Sequence, residues 1–149
     1  MDKDTKLIEF QDQDINYKNQ LEVNTSSKHA FFALNEGLHS WWGKISNSEF
    51  KAGGQFTIQF ENDYWWTFKI IEYTPNSELI WKCIDGEPDF NKEWIGHVLH
   101  WKIEAYNGKR FINFHQVGLN PNIDCYDVCS TTWDRFITNG LKAFLEVDK

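Results

Sequence analysis

Residues 97–116 read HVLHWKIEAYNGKRFINFHQ, two runs in which apolar and polar side chains alternate. This period of two is typical of a β-strand with one buried face. Asn107-Gly108 lies between the runs and suits a type I′ turn, because both central residues of that turn need a positive φ. The sequence therefore predicts an antiparallel hairpin. Its predicted inward face comprises His97, Leu99, Trp101, Ile103, Ile112, Phe114 and Gln116.

The same alternation on the N-terminal side of this hairpin predicts further strands. One run extends from Ile15 to Val23, and three follow Gly53-Gly54, separated by turns at Asn62-Asp63 and Pro75-Asn76. Their inward residues are Phe56, Ile58, Phe60, Trp66, Phe68, Ile70, Leu79, Trp81 and Cys83. Residues 85–93 are acidic, contain a proline and are predicted to form a loop.

Helical spacing appears in two places. After the first strand, two short helices are predicted, at residues 29–34 and 37–41. After Pro121, apolar residues recur every three to four positions, and Asp124 is the predicted N-cap of a helix that runs nearly to the C-terminus. The stripe comprises Cys125, Val128, Cys129, Trp133, Phe136, Ile137, Leu141, Phe144 and Leu145. This order of elements predicts an α+β fold, an antiparallel sheet covered on one face by a long helix.

Composition narrows the classes of partner. The chain of 149 residues has a net charge of -7, which disfavours binding to nucleic acid or to an anionic membrane surface. No apolar segment is long enough to span a bilayer, and residues 1–9 lack the pattern of a secretory signal, so we expect a cytoplasmic protein. The aromatic fraction of 17% is high, and these large side chains must either fill the core or line a cavity.

Six short segments resemble motifs of one known family and follow one another in the same order as in that family. They are residues 26–34, Leu38 with Trp41-Trp42, residues 53–56, residues 72–81, Gly118-Leu119, and Trp133 with Leu141. Together they resemble the START-like (SRPBCC) superfamily, in particular its branch of heat-shock-protein ATPase activator homologues. The resemblance implies a single domain over residues 1–149 with the helix-grip fold, in which a curved antiparallel sheet wraps around the C-terminal helix. It also implies a cavity, open at one end, that in different members binds lipids, hormones or polyketides or carries out catalysis. It brings no universal catalytic residue, and one fold hosts many chemistries.

The inward positions give a candidate ligand-binding set that is mostly apolar, as ligand pockets are. It comprises Phe60, Trp66, Phe68, Trp81, His97, Leu99, Trp101, Phe114, Trp133 and Phe136. The alternative is that these aromatic side chains pack into a solid core with no cavity.

No local spacing of polar residues in the predicted core identifies a catalytic or metal site. His97 could orient a ligand or exchange a proton, but no carboxylate stands at a fixed spacing to orient it, and a core histidine satisfied by a neighbour is the simpler interpretation. Cys125 and Cys129 are one helical turn apart within the apolar stripe, where cysteine behaves as a small hydrophobe, so we expect free thiols and no metal. No cofactor motif is present.

Three functions remain open at this point. The leading hypothesis is a non-enzymatic module that binds a small hydrophobic molecule. The second is an enzyme that acts on a ring-shaped or polyketide-like substrate, with His97 as acid or base. The third is a regulator of a chaperone ATPase, or a homodimer, acting through protein contacts. Trp41-Trp42 and Trp65-Trp66 bear on the third, because one indole of each pair is predicted to approach the surface, where it could anchor a partner. The alternatives are a lid that shields the cavity mouth and partial burial under the loop at residues 85–93.

Overall fold

The computed structural model describes residues 15–146. Seven strands are present: β1 (Tyr17–Val23), β2 (Lys44–Ser46), β3 (Gln55–Gln59), β4 (Trp65–Thr74), β5 (Glu78–Glu87), β6 (Val98–Tyr106) and β7 (Lys109–Val117). They form a curved, fully antiparallel sheet in the order β1-β7-β6-β5-β4-β3-β2. Consecutive strands are neighbours from β2 to β7. β1 pairs with β7 at one edge, so the connection from β1 to β2 runs from that edge of the sheet to the other.

The hairpin predicted at residues 97–116 is confirmed. Asn107 and Gly108 have φ values of 52° and 79°, and Trp101 lies opposite Phe114 in the register of β6 with β7. The predicted inward residues of both strands are buried. The period-two pattern therefore assigned the correct face along this hairpin.

Short helices connect the strands. After β1 come α1 (Ser27–Ala33) and α2 (Leu38–Trp41), and the Ser26 hydroxyl caps α1 by accepting a hydrogen bond from the backbone N–H of His29 at 3.0 Å. A 3-10 turn (Glu61–Asp63) joins β3 to β4. A third helix, α3 (Asp89–Lys92), follows β5.

The C-terminal helix begins with α4 (Tyr126–Arg135), continues through a π-helical segment (Phe136–Leu141) and ends with α5 (Lys142–Glu146). At about 1.5 Å per residue this helix is roughly 30 Å long. It buries its apolar stripe against the inward face of the sheet, where the Trp133 ring lies 4.6 Å from that of Phe114. Gly140 lies close to α2, since a Cβ there would be 3.2 Å from the carbonyl oxygen of Trp41.

These elements confirm the α+β helix-grip arrangement, but the structure corrects several local predictions. Asp124 is not the N-cap of α4; Cys125 holds that position and makes no side-chain cap. The predicted loop at residues 85–93 instead extends β5 and forms α3. Trp41 and Trp42 are both buried, at 7% and 6% exposure, because α2 lies between the sheet and the C-terminal helix.

Within residues 15–146, no helix is both long enough and apolar enough to cross a membrane.

Candidate functional site

An open cleft of about 450 Å³ lies between the C-terminal helix, the β3–β4 connection and the segment around α3. Eight of its lining residues are aromatic, and we call this cavity the aromatic cleft. Its lining residues are Trp42, Phe60, Glu61, Tyr64, Trp66, Phe90, Asn91, Trp94, Val128, Cys129, Thr132, Trp133 and Phe136. The volume falls within the usual range for small-molecule sites.

Four tryptophans form the floor of the aromatic cleft: Trp66 in β4, Trp133 in α4, and Trp42 and Trp94, which follow α2 and α3. Trp66 and Trp94 stack with ring centroids 3.9 Å apart and planes 12° apart. Trp94 and Trp133 are also nearly parallel, at 12° and 6.1 Å, and Trp133 stacks on Trp42 at 4.9 Å. Trp66, Trp94 and Trp133 therefore share nearly one orientation, and the plane of Trp42 is tilted by 29° from that of Trp133.

Hydrogen bonds and a glycine hold Trp66 in place. Its Nε1–H donates to the carbonyl oxygen of Asn91 at 2.9 Å, and the Asn91 amide donates back to the carbonyl of Trp65 at 3.2 Å. Gly86 lies opposite Trp66 in the register of β4 with β5, where a Cβ would approach the indole to 2.8 Å. A side chain at position 86 would displace the indole from the floor.

The rim of the aromatic cleft is exposed. Tyr64, Phe90 and Val128 contribute apolar surface there, and Glu61 contributes a carboxylate. Val128 was predicted to belong to the buried stripe of the helix but is 59% exposed, because it faces the open cleft and not the sheet. Phe136 is the first residue of the π-helical segment, a type of irregularity that is frequent at functional sites.

A buried hydrogen-bond network lies behind the floor. The Trp133 Nε1–H donates to Gln116 Oε1 at 2.8 Å, and Gln116 Nε2 donates to Nδ1 of His97 at 3.0 Å. Burial lowers the pKa of His97 to about 4, against a smaller opposing effect of the Glu93 carboxylate, so the imidazole is neutral near pH 7. A neutral Nδ1 is the acceptor that the Gln116 amide requires.

His97 leaves no room for a side chain at position 118. Gly118 has a φ of 112°, and a Cβ there would lie 2.2 Å from Cδ2 of His97. The glycine at the end of β7 is therefore required both by the backbone conformation and by the imidazole.

The two cysteines of α4 are buried free thiols beside the aromatic cleft. A hydrogen bond between them, with Cys129 as donor, lowers the pKa of Cys125 and raises that of Cys129, and burial raises the Cys129 pKa further. The lining residue, Cys129, is therefore a protonated thiol. Glu93 fixes the start of α4 by accepting from the backbone N–H of Cys125 at 2.9 Å and of Asp124 at 3.3 Å.

Within residues 15–146, no group of three or more His, Cys, Asp or Glu residues could hold a metal ion.

Comparison with solved structures gives matches over nearly the whole chain. The Aha1 dimer from Colwellia psychrerythraea matches with a TM-score of 0.75 and 24% identity, covering 91% of this chain and 98% of that chain. A protein of Chromobacterium violaceum matches with a TM-score of 0.76 and 12% identity, covering 89% and 97%. This chain has the helix-grip fold. At these identities the structures establish the fold alone.

A third structure with the helix-grip fold is DynU16, from the dynemicin biosynthetic locus. It matches with a TM-score of 0.72 and 14% identity, covering 91% of this chain and 49% of that chain. No family model and no curated protein sequence matches this chain.

The helix-grip structure divides the predicted ligand-binding set into two groups. Phe60, Trp66, Trp133 and Phe136 line the aromatic cleft. The other six are buried outside it: Phe68, Trp81, His97, Leu99, Trp101 and Phe114. Five of these six have rings that pack against the floor, as Trp81 does against Trp42 at 6.0 Å, and so support the cleft without lining it.

Other residues that line the aromatic cleft, chiefly Trp94 and Phe90, were not predicted from the sequence. Both lie in or near the segment predicted as a loop, where no periodic pattern assigns a face. The only available signal was the presence of two aromatic residues in an otherwise acidic segment. Trp42 was treated as half of a surface pair, although it lies on the floor.

Proposed function

We propose that this protein binds a small apolar molecule in the aromatic cleft. The observation that carries the proposal is a cleft of about 450 Å³ with eight aromatic lining residues on a rigid floor of stacked indoles. Sites of this size with mostly apolar walls and a few polar groups are typical of small-molecule binding. The floor is pre-formed, so little ordering opposes binding.

The polar groups of the aromatic cleft favour binding over turnover. The lining residues with polar side chains are Glu61, Tyr64, Asn91, Cys129 and Thr132, apart from the indoles. Catalysis by a nucleophile requires a base within hydrogen-bond reach, and the raised pKa of Cys129 keeps its thiol protonated. His97, the candidate acid or base, does not line the cleft. Its ring stacks on Trp94 at 6.3 Å and its Nδ1 accepts a hydrogen bond from Gln116, so other side chains separate it from a bound molecule.

The two alternatives have separate support. DynU16 comes from a biosynthetic locus, and its similarity to this chain supports the hypothesis of an enzyme with a ring-shaped substrate. Structural similarity to the Aha1 dimer supports a homodimer or a chaperone contact. Neither uses the aromatic cleft as directly as ligand binding does, and we place both second.

The test is a titration with N-phenyl-1-naphthylamine, a neutral apolar probe whose emission rises when it leaves water. We expect saturable binding at micromolar concentration. Thr132 lines the cleft and its neighbour Thr131 is exposed outside it, so Thr132→Trp and Thr131→Trp are matched variants.

We expect Thr132→Trp to weaken probe binding at least tenfold, because the indole occupies cleft volume, and Thr131→Trp to leave it unchanged. Absence of probe binding to the unmodified protein, or equal weakening by both substitutions, would overturn the proposal.

A further inference from the structure

We infer that the aromatic cleft selects an apolar molecule that carries one neutral hydrogen-bond donor, such as a hydroxyl group, and that this group donates to Oδ1 of Asn91. The inference rests on the proposed function and deepens it, because it names a class of ligand and the residue that recognises it. The observation that carries it is a buried amide at the cleft with one polar atom that has no partner.

All the polar groups of Asn91 except Oδ1 have partners within the protein. Asn91 lies in α3, lines the aromatic cleft and is only 1% exposed. Its backbone N–H donates to the carbonyl oxygen of Pro88 at 2.8 Å, and its own carbonyl oxygen accepts from Nε1 of Trp66 at 2.9 Å. Its Nδ2 donates to the carbonyl oxygen of Trp65 at 3.2 Å. Oδ1 is left over, and it accepts no hydrogen bond from the described residues.

The orientation of the Asn91 amide follows from its partner on β4. A carbonyl oxygen only accepts hydrogen bonds, so the side of the amide that faces the Trp65 carbonyl must be the NH2 group. Oδ1 therefore occupies the other position. The bonds to Trp65 and Trp66 fix this residue before a ligand binds, so the acceptor is already in place.

A molecule in the cleft can reach this oxygen. Asn35 is the contrasting case, since its Oδ1 is also without a partner but is fully enclosed in the core, and Asn35 does not line the cleft. Oδ1 of Asn91 is not enclosed in this way, and Asn91 is one of the lining residues.

The class of ligand follows from what an isolated amide oxygen requires. A ligand that fills the cleft displaces solvent from Oδ1, and without a donor of its own it leaves a buried acceptor unsatisfied. A hydroxyl group replaces the lost hydrogen bond, whereas a carboxylate offers no donor. An ammonium group also donates, but one neutral acceptor among mostly apolar walls does not compensate the cost of burying its charge. A neutral donor on an apolar molecule therefore fits best.

The test compares three molecules with the same apolar body, measured by their displacement of N-phenyl-1-naphthylamine. These are 1-adamantanol, which has an O–H donor; 1-methoxyadamantane, whose oxygen only accepts; and 1-methyladamantane, which has neither. We expect 1-adamantanol to bind at least fivefold tighter than either of the others, because only this molecule satisfies Oδ1. Equal or tighter binding of the ether or of the methyl compound would overturn the inference.

Two matched variants test the role of Asn91. Asn91→Leu removes Oδ1 at similar volume, and Asn122→Leu is the control, because Asn122 is exposed outside the cleft. The readout is the ratio of the affinities for 1-adamantanol and 1-methyladamantane within each variant, which a uniform loss of affinity does not change. We expect the preference for the alcohol to disappear in Asn91→Leu and to persist in Asn122→Leu. A preference that persists in Asn91→Leu would overturn the assignment.

Two further variants test the other hydroxyl groups that line the cleft. Thr132→Val and Tyr64→Phe each remove a hydroxyl with little change of shape, and neither alters the bonds that hold Asn91. Both should keep the preference for 1-adamantanol. Loss of the preference in either variant would show that a different group receives the ligand and would overturn the assignment to Asn91, whether or not Asn91→Leu folds.

The two levels of proposal fail differently. If N-phenyl-1-naphthylamine binds and the three adamantanes displace it equally or not at all, ligand binding stands and the selectivity inferred for Asn91 is wrong. If neither the probe nor any of the three molecules binds, the proposed function fails with it.

Discussion

Gln116 is the residue whose loss should damage the floor of the aromatic cleft most directly. It is fully buried and joins the Trp133 indole to the His97 imidazole through hydrogen bonds of 2.8 and 3.0 Å. Gln116→Leu nearly conserves volume but leaves a buried donor and a buried acceptor without a partner. Each such group costs about 1–3 kcal/mol, so the range is about 2–6 kcal/mol. Nε1 of Trp81 and Nε1 of Trp101 are also buried without a hydrogen-bond partner among the described residues, so this core tolerates such groups. We therefore expect a loss in the free energy of unfolding near the lower end of the range, about 3 kcal/mol.

The assay is equilibrium unfolding in urea, with the m-value checked for constancy between variants. Gln20→Leu is the matched control, since Gln20 is exposed and donates to the exposed side chain of Asn113 at 2.7 Å. It should change the free energy of unfolding by less than about 0.5 kcal/mol. The double variant Gln116→Leu/His97→Leu should recover part of the loss, because the unpartnered imidazole acceptor is then gone. A loss below about 1 kcal/mol for Gln116→Leu would refute the role assigned to this network.

Three further predictions concern the neighbours of this network. Burial lowers the pKa of His97 from 6.5 to about 4, so the unfolded chain binds more protons than the folded chain between these values. The free energy of unfolding should therefore fall by about 3 kcal/mol as the pH drops through this window. Urea unfolding as a function of pH should show a smaller fall in His97→Asn, which does not titrate. Gly118→Ala should lower the free energy of unfolding by about 3 kcal/mol, because position 118 has a positive φ and the new methyl group would overlap with His97. Gly108→Ala should lower it by about 1 kcal/mol, because position 108 also has a positive φ but has open space around it. Equal losses in urea unfolding would contradict the predicted overlap with His97. Glu93→Gln should lower the free energy of unfolding by about 1 kcal/mol and lower the melting temperature, because a neutral amide is a weaker acceptor for the two backbone N–H groups at the start of α4. An unchanged melting temperature would contradict the capping role of Glu93.

The alternation of side chains predicted much of the sheet because one buried face imposes a period of two on each strand. The hairpin around Asn107-Gly108 is the clearest case, and its register follows from the turn. The local errors occur where no such constraint acts. At the start of α4, a carboxylate from a distant segment, Glu93, caps the helix in place of Asp124, and nothing in local sequence shows that contact.

The candidate site was harder to predict than the fold for a physical reason. A period of two assigns a side chain to a face of the sheet but does not say whether it lies at the aromatic cleft or in the closed part of the core. Trp66 lines the aromatic cleft, whereas Trp81 shares its face and is fully covered by neighbouring rings. Trp94 was missed because tertiary packing, and not a local pattern, positions it between Trp66 and Trp133.

The most direct test of ligand binding in the aromatic cleft uses the eight tryptophans as reporters. A ¹H–¹⁵N correlation spectrum resolves one indole N–H signal for each, and N-phenyl-1-naphthylamine is titrated into the labelled protein. Four indoles line the cleft: Trp42, Trp66, Trp94 and Trp133. The other four lie outside it: Trp41, Trp65, Trp81 and Trp101. We expect saturable shifts that are largest for the first group and smallest for Trp65. Largest shifts at Trp65 or Trp41, or no shift at any indole, would contradict binding in the aromatic cleft.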